Sequence, residues 1–333
     1  MGFDAQGGMK RRLVLPVLAA SGWRLALPAW AQSAKRGPRR LAILLFDRPE
    51  NWEFLIVELR QELAALGWIE GSNLTIDARY AGGDAQRVAA LAVALSTSGA
   101  DAILTRGTPA TRALQRATQS VPVLTGVGDP VGAGFAQSLA QPGGNITGIS
   151  YALAETSHKQ LELLREMVPG MSRLVFVLGA ERAAFVTEIT GHAQAAANAA
   201  GMPTRTVVVA DADALRKAFP PVEGRVAEAA LVYGLAFEPL ETAALFVRAR
   251  LATMYEHRSF AQAGGLMSYR LNWQNQTHRT AAQIDKVLRG ERPAGIPFEF
   301  PTISELVVNA RTARALGLTV PQAMRIRADE LIE

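Results

Sequence analysis

The stretch Ala100 to Gly134 reads ADAILTRGTPATRALQRATQSVPVLTGVGDPVGAG and places one device twice in tandem. Asp101 to Leu104 has the pattern of a short buried strand, and Thr108-Pro109 opens a helix expected to run to about Gln119. Val121 to Thr125 is a second strand, and Asp129-Pro130 is expected to start another helix. Each strand ends in a glycine-containing turn, followed by an N-cap residue (Thr108, Asp129) and a proline at the first helical position. A chain built this way has few options. It forms a parallel sheet with helices on its faces, and the turns gather at the carboxyl edge of the strands, where ligands bind and helix N-termini present free N–H groups. Ordinary capping explains either turn alone; two on one edge point to a binding site.

The rest of the chain repeats the pattern. Leu41 to Phe46 is a continuous apolar strand, Trp52 to Leu66 a helical stripe ending at Gly67, Leu74 to Ala78 a strand and Ala85 to Leu95 a helix. After a fifth strand, Asn145 to Ser150, a second series begins. It comprises helix His158 to Val168, strand Arg173 to Leu178, helix Ala184 to Ala200, strand Thr204 to Val209, helix Ala212 to Phe219, strand Ala229 to Tyr233 and helix Leu240 to Arg250. Strands Leu251 to Tyr255 and Leu266 to Tyr269 finish it. A long helix from Trp273 to Leu288, a passage marked by Pro293, Pro297 and Pro301, strand Glu305 to Asn309 and helix Ala310 to Leu316 close the chain. The expected class is α/β with two lobes, each a doubly wound parallel sheet, joined by a hinge of several crossings. Lobe 1 is expected to take residues 41–148 plus about 270–303, and lobe 2 residues 149–269 plus about 304–333.

The formal net charge of +5 invites a nucleic-acid partner until it is located. Lys10, Arg11, Arg12, Arg24, Lys35, Arg36, Arg39 and Arg40, set against Asp4, give the first forty residues +7, so the remainder stands at −2 against the whole-chain +5. The folded body lacks a basic footprint, and no nucleic-acid partner is expected. From Met9, MKRRLVLPVLAASGWRLALPAWAQ has a basic head, an apolar middle and a small-x-small site at Ala29-Trp30-Ala31. It reads as an export signal over residues 1–31 whose true start is Met9, followed by a linker over 32–40. The sequence has no cysteine, so disulfides, thiolate nucleophiles and a lipid anchor on an N-terminal cysteine are excluded. A periplasmic, unanchored protein is the expectation.

Residues for covalent chemistry are missing. There is no HExxH, no phosphate-binding loop and no paired metal-ligand set, and His158, His192, His257 and His278 are scattered. No metal, no cofactor and no enzymatic activity are expected. Gly126-Val-Gly128-Asp129-Pro130-Val-Gly132 approaches a dinucleotide fingerprint, but its glycines are spaced GxGxxxG and Asp129 would face the pyrophosphate. A carboxylate there would attract an ammonium group instead. Thr105, Thr108 and the free N–H groups near Pro109 and Ala110 suit a carboxylate, and with Asp129 they suit an amino acid zwitterion; capping alone also accounts for Asp129.

Several ordered motifs resemble a known family. They are Gly67-Trp-Ile-Glu-Gly-Ser-Asn-Leu-Thr-Ile76, Gly107-Thr-Pro-Ala110, Gly128-Asp-Pro-Val-Gly-Ala-Gly134, Gln141-Pro-Gly-Gly-Asn-Ile-Thr-Gly148, Leu161-Glu-Leu-Leu164, Ala263-Gly-Gly-Leu-Met-Ser-Tyr269 and Arg311-Thr-Ala-Arg-Ala-Leu-Gly-Leu-Thr-Val-Pro321, with Arg327-Ala-Asp-Glu330. Together, from Leu41 to Glu333, they resemble the ABC-transporter substrate-binding proteins of the tryptophan/tyrosine type. The resemblance implies a two-lobe fold like the type I periplasmic binding proteins, closing like a flytrap on an interlobe ligand. It also implies delivery to an inner-membrane permease and its ATPase. The sequence departs from the family pattern at Tyr233-Gly-Leu-Ala-Phe-Glu-Pro239, at Glu256-His257-Arg258-Ser259-Phe260 and at Arg270. On physical grounds Tyr233, Phe237, Tyr255 or Tyr269 could close over an apolar or aromatic group, Arg258 could meet a carboxylate, and Glu181 is a candidate polar contact. Core packing is the competing role for each aromatic.

The expected function is that of a monomeric solute receptor that closes on a small zwitterionic or carboxylate ligand, with aromatic and other amino acids among the candidates, in amino acid transport. A nucleotide-dependent enzyme on the same sheet type, or a ligand-sensing domain without transport, are the alternatives.

Overall fold

A computed structural model describes residues 37–180, 186–224, 226–235, 238–300 and 303–333. The export signal, Glu181 and Phe237 lie outside the described residues. Strands β1 (Arg39–Leu45), β2 (Leu74–Tyr80), β3 (Ala102–Arg106), β4 (Val123–Val127) and β5 (Ile146–Ser150) form a five-stranded sheet in the order β2-β1-β3-β4-β5, every pair parallel. The helices between them are α1 (Glu53–Ala65), α2 (Ala85–Ser96) and α3 (Thr108–Ala117). Helix α1 buries Leu55, Ile56, Leu59 and Leu63 as one stripe. It stops at Gly67, whose φ of 91° is open to glycine, and Gly67 N–H donates to Ala64 O at 3.0 Å while Trp68 N–H donates to Leu63 O at 2.9 Å.

The second sheet begins after α4 (Leu153–Met167). It contains β6 (Arg173–Gly179), β7 (Thr204–Val209), β8 (Glu228–Tyr233), β9 (Ala252–Tyr255), β10 (Met267–Leu271), β11 (Ser304–Asn309) and β12 (Glu330–Ile332), in the order β12-β11-β10-β9-β8-β6-β7. Helices α5 (Val186–Ala199), α6 (Ala212–Ala218), α7 (Pro239–Arg248) and α8 (Arg258–Gln262) connect its strands, α9 (Trp273–Leu288) precedes β11, and α10 (Ala310–Ala315) and α11 (Gln322–Arg327) follow it. All pairs are parallel except β10 with β11. That exception departs from a wholly parallel second sheet. Its cause is the route of the chain, which leaves β10 for α9 and re-enters from the opposite end.

Helix α9 packs against the first sheet although it follows a strand of the second. Trp68 Nε1 donates to Asp285 Oδ1 at 2.8 Å, Thr277 Oγ1 to Glu58 Oε2 at 3.1 Å, and Gln283 Nε2 to Gly148 O at 3.2 Å. The chain therefore passes between the sheets three times, at residues 151–152, at Asn272 and between Glu299 and Ser304. The first two passages are each tied to the third. Asn272 N–H donates to Ile303 O at 2.8 Å, and Ser150 N–H donates to Glu299 O at 2.9 Å. Pro38–Glu333 form one compact unit. Among the described residues, no helix is long and apolar enough to cross a membrane.

Two expectations about the tandem turns are corrected. The helix expected after Asp129-Pro130 does not form; the segment makes a single turn in which Ala133 N–H donates to Asp129 O at 3.0 Å and ends at Gly134 with φ 71°. Two glycines in three residues give a helix too little intrinsic support, and Gly134 turns the chain away. Thr108 is not the cap of α3 either. Gly107 takes that place with φ 78°, and Thr108 is the first helical residue. Helix α8, helix α11 and strand β12 had no sequence expectation, being five, six and three residues long.

Gly148 sits in β5 with φ 150°, and a Cβ there would lie 1.8 Å from the carbonyl oxygen of Thr125 on β4. That neighbour is backbone and cannot give way without breaking the β4–β5 pairing. Gly148→Ala is expected to cost more than about 3 kcal/mol in urea unfolding, against less than about 0.5 kcal/mol for Gly144→Ala, which meets nothing. Equal effects of the two would refute the contact.

Candidate functional site

In an open parallel sheet, ligands bind beyond the carboxyl ends of the strands, at the point where strand order reverses. The first sheet reverses between β1 and β3, where Leu45 pairs with Arg106. The second reverses between β6 and β8, where Leu178 pairs with Tyr233. Beside the passage at Asn272, the Trp273 ring lies under both Arg106 of the first sheet and Arg270 of the second. Tyr151 follows β5 directly, while Arg270 at the end of β10 and Trp273 at the start of α9 are three residues apart.

Arg106 occupies the first of these points. Its side chain is 5% exposed, and its guanidinium stands 4.3 Å from the ring centroid of Trp273 and 5.7 Å from those of Trp52 and Tyr151. The three rings are half-buried, so the cage is closed by aromatic faces that themselves reach solvent. Trp52 and Phe54 also pack on Trp273, at 6.0 and 5.2 Å between centroids. Each ring face attracts the cation by roughly 0.5–2 kcal/mol, short of what burying an unpaired charge costs. Burial accordingly pulls Arg106 below its ordinary pKa, with Tyr151 and Glu58 acting the other way. Among the described residues, Arg106 Nη1, Tyr151 Oη and Trp273 Nε1 are all buried without a hydrogen-bond partner. Three such atoms at one spot mark a place where an acceptor is wanted.

The second sheet supplies a facing set. Arg270 is half-buried, with its guanidinium 5.0 Å from the Trp273 ring and Nη1 donating to His257 Nδ1 at 3.1 Å. Burial lowers its pKa, Glu256 opposes that, and Arg106 adds to it. Glu256 Oε2 accepts from Gly234 N–H at 3.2 Å, just after Tyr233. Tyr233 is buried with Oη unpartnered among the described residues, and burial, then Glu256, pushes its hydroxyl well above the usual range.

The residues singled out from sequence are dispersed around this centre. Thr105 is fully buried and its Oγ1 donates to Leu44 O at 2.7 Å, tying β3 to β1. Thr108 and Pro109 are half-buried at the same strand edge, and Ala110 is buried beneath them. Asp129 is exposed, and its Oδ1 accepts from Gly132 N–H at 2.8 Å, closing its own turn. Arg258 starts α8 just beyond β9 and is paired with Glu305, the register partner of Arg270, at 2.6 Å and with Glu330 at 2.5 Å. Tyr255 is core, stacked on Phe260 at 5.0 Å. Tyr269 is half-buried against the core of the second sheet, and its carbonyl accepts from Gln160 Nε2 at 3.0 Å.

Arg106, Trp52, Tyr151 and Trp273 carried no sequence expectation as site residues. The available signal was positional, since each aromatic stands just outside the end of a strand or at the first turn of a helix. The glycines of the near-fingerprint also find their use here. A Cβ on Gly126 would fall 2.0 Å from Tyr151 Oη, and one on Gly128 would fall 2.3 Å from Leu153 Cδ1. Their spacing lets the first crossing lie against β4, which places Tyr151 over Arg106. A separate recess of about 580 Å³ at the ends of β1 and β2 is lined by exposed Arg48, Arg79 and Arg87, and Arg79 is paired with Asp77 at 2.7 Å. Among the described residues no group of three or more His, Cys, Asp or Glu could hold a metal.

Comparison with known proteins adds the lineage. A family model described as "ABC transporter substrate binding protein" matches residues 56–332. A protein named tyrosine-binding protein, from Clostridioides difficile strain R20291, is 34% identical over 109 residues; the alignment spans 32% of this chain and 31% of that relative's length. A Streptococcus pneumonia ABC domain solved in complex with L-Trp superposes with a TM-score of 0.69 at 23% identity, covering 89% of this chain and 100% of that one. A conserved domain protein from Vibrio cholerae superposes with a TM-score of 0.71 at 23% identity, covering 88% and 99%. These superpositions show the two-lobe type I periplasmic-binding-protein-like fold.

Burying an unpaired cation costs free energy that an apolar side chain of similar reach does not incur. Arg106→Met is expected to keep or raise the melting temperature, by about 2–4 °C per kcal/mol gained, in differential scanning calorimetry. A fall of more than about 5 °C would make Arg106 a prop of the fold.

Proposed function

Since the chain belongs to the ABC transporter substrate-binding family, we propose that it is the solute receptor of an importer and closes two lobes on a small carboxylate-bearing ligand. The lobes are the first sheet with α9 and the second sheet with α4, and the hinge is the set of three crossings. One observation carries the reading: the unmatched donors Arg106 Nη1, Tyr151 Oη and Trp273 Nε1 cluster where the carboxyl edges of both sheets converge. A carboxylate is the acceptor that suits a guanidinium fork, and a flat apolar body suits the surrounding rings. The L-Trp of the pneumococcal complex and the name of the Clostridioides relative support aromatic amino acids as the first ligands to try. Thr108 and Asp129 remain candidate contacts from the rim.

In this reading ligand binding selects the closed form, because only there do both edges touch one solute. The closed form docks on an inner-membrane permease served by its ATPase. The protein works as a monomer in the periplasm after cleavage near Ala31, and no chemistry on the ligand is required.

The test is a thermal-shift screen of the purified protein against amino acids, aromatic carboxylates, sugars, nucleosides and NAD. Ligand at a hundred times Kd should stabilise the protein by about 2.7 kcal/mol. A shift with carboxylates and none with NAD is expected. A shift produced by NAD alone would overturn the receptor reading in favour of a nucleotide-dependent enzyme.

A further inference from the structure

The caged arginine constrains the ligand more tightly than the family does. The centre holds two guanidiniums, Arg106 and Arg270, both over the Trp273 ring, at 4.3 and 5.0 Å. Of the three unpartnered buried atoms, Arg106 Nη1 and Trp273 Nε1 can only donate, and Tyr151 Oη can donate or accept. The acids that act on the two guanidiniums each already hold a donor: Glu58 accepts from Thr277 Oγ1 at 3.1 Å, Glu256 from Gly234 N–H at 3.2 Å, and Glu305 pairs with Arg258 at 2.6 Å. Asp129, the residue suited by sequence to an ammonium group, is exposed and closes its own turn with Gly132 at 2.8 Å. An ammonium placed between two guanidiniums would meet repulsion from both and would find ring faces already occupied by a cation. A carboxylate would meet donors on several sides.

We propose, resting on the receptor reading above, that this centre recognises the carboxylate of its ligand without reading an α-ammonium group, and that its ligand class is aromatic carboxylates with no requirement for an amine. Arg106 is the specificity-determining residue. Its guanidinium takes the carboxylate, Arg270 adds a second charge from the other edge, and Trp52, Phe54 and Trp273 receive the aromatic body. Phe54 is 50% exposed beside Trp273, which leaves an apolar ring at the mouth of the cage. The arrangement rejects aromatic amines by charge alone, since removing the carboxylate removes the one group the donors seek.

Two matched triads separate these chemistries by isothermal titration calorimetry on the purified protein. The first is L-tyrosine, 3-(4-hydroxyphenyl)propionate and tyramine; the second is L-tryptophan, indole-3-propionate and tryptamine. In at least one triad the amine-free acid is expected to bind no more than threefold weaker than the amino acid, and the carboxylate-free amine at least a hundredfold weaker than the acid. Arg106→Gln should weaken the acid at least tenfold, Arg106→Lys should recover part of that loss, and both variants should melt within a few degrees of the parent. An amino acid that binds more than tenfold tighter than its amine-free acid overturns the inference and leaves the receptor function standing. Arg106→Gln with unchanged affinity overturns it as well. Silence of all six compounds also overturns it, and the receptor function falls with it only if the broader solute screen is silent too.

Discussion

A guanidinium shut away from water, with ring faces in place of a carboxylate, is the constraint around which the centre of this molecule is arranged. Arg106 ends a strand whose five residues are all buried, and only 5% of it is exposed. Three aromatic rings cover it, and each comes from a different part of the chain: Trp52 before α1, Tyr151 after β5, Trp273 at the start of α9. The rings return part of the desolvation cost but supply no anionic partner. An interior that keeps three polar atoms unpaired in one place gives up stability there, and such concessions collect at binding sites.

Close backbone approach makes the arrangement possible. Gly126 admits the Tyr151 ring, Gly128 admits Leu153, and Gly148 admits the backbone of β4. All three glycines lie on β4, just beyond it or on β5, beside the first crossing. A sequence motif that resembles a phosphate-binding fingerprint therefore serves packing, and the anion-seeking group is an arginine one strand away. The second crossing is shaped just as locally. Asn272 Oδ1 accepts from Asn275 N–H at 2.9 Å and caps α9, which fixes Trp273 at the helix start.

The periodic elements were legible in the sequence because burial and period agree in them. Helix α9 begins at Trp273 and ends at Leu288 as its apolar spacing requires, and the buried strands of both sheets fall within a few residues of their apolar runs. What depends on a single turn was not. Gly107 displaced Thr108 as the cap because a positive φ at that position favours glycine over a capping hydroxyl. The turn after Asp129 failed to become a helix because its glycines outweigh its proline start. Of the candidate contacts, Thr108 and Asp129 follow the carboxyl ends of β3 and β4, and Arg258, just beyond β9, is paired with two carboxylates of the second sheet. The cage was not legible because its members are spread from Trp52 to Trp273, and only the sheet order at the switch point brings them together.

The position of the cage at the crossings ties recognition to motion. Tyr151 and Trp273 touch Arg106 and also stand within two residues of segments that pass from one sheet to the other. Hinge bending must change the backbone angles of those segments, so it must also move the rings against the guanidinium. A solute that satisfies the unmatched donors biases one ring arrangement and with it one hinge angle, which is the differential contact that any ligand-driven closure requires. The third crossing carries its own brace, since Arg279 pairs with Glu299 at 2.8 Å across the return from α9. Because the two passages lined by the site are hydrogen-bonded to the third, a ligand that moves either ring acts on the whole hinge.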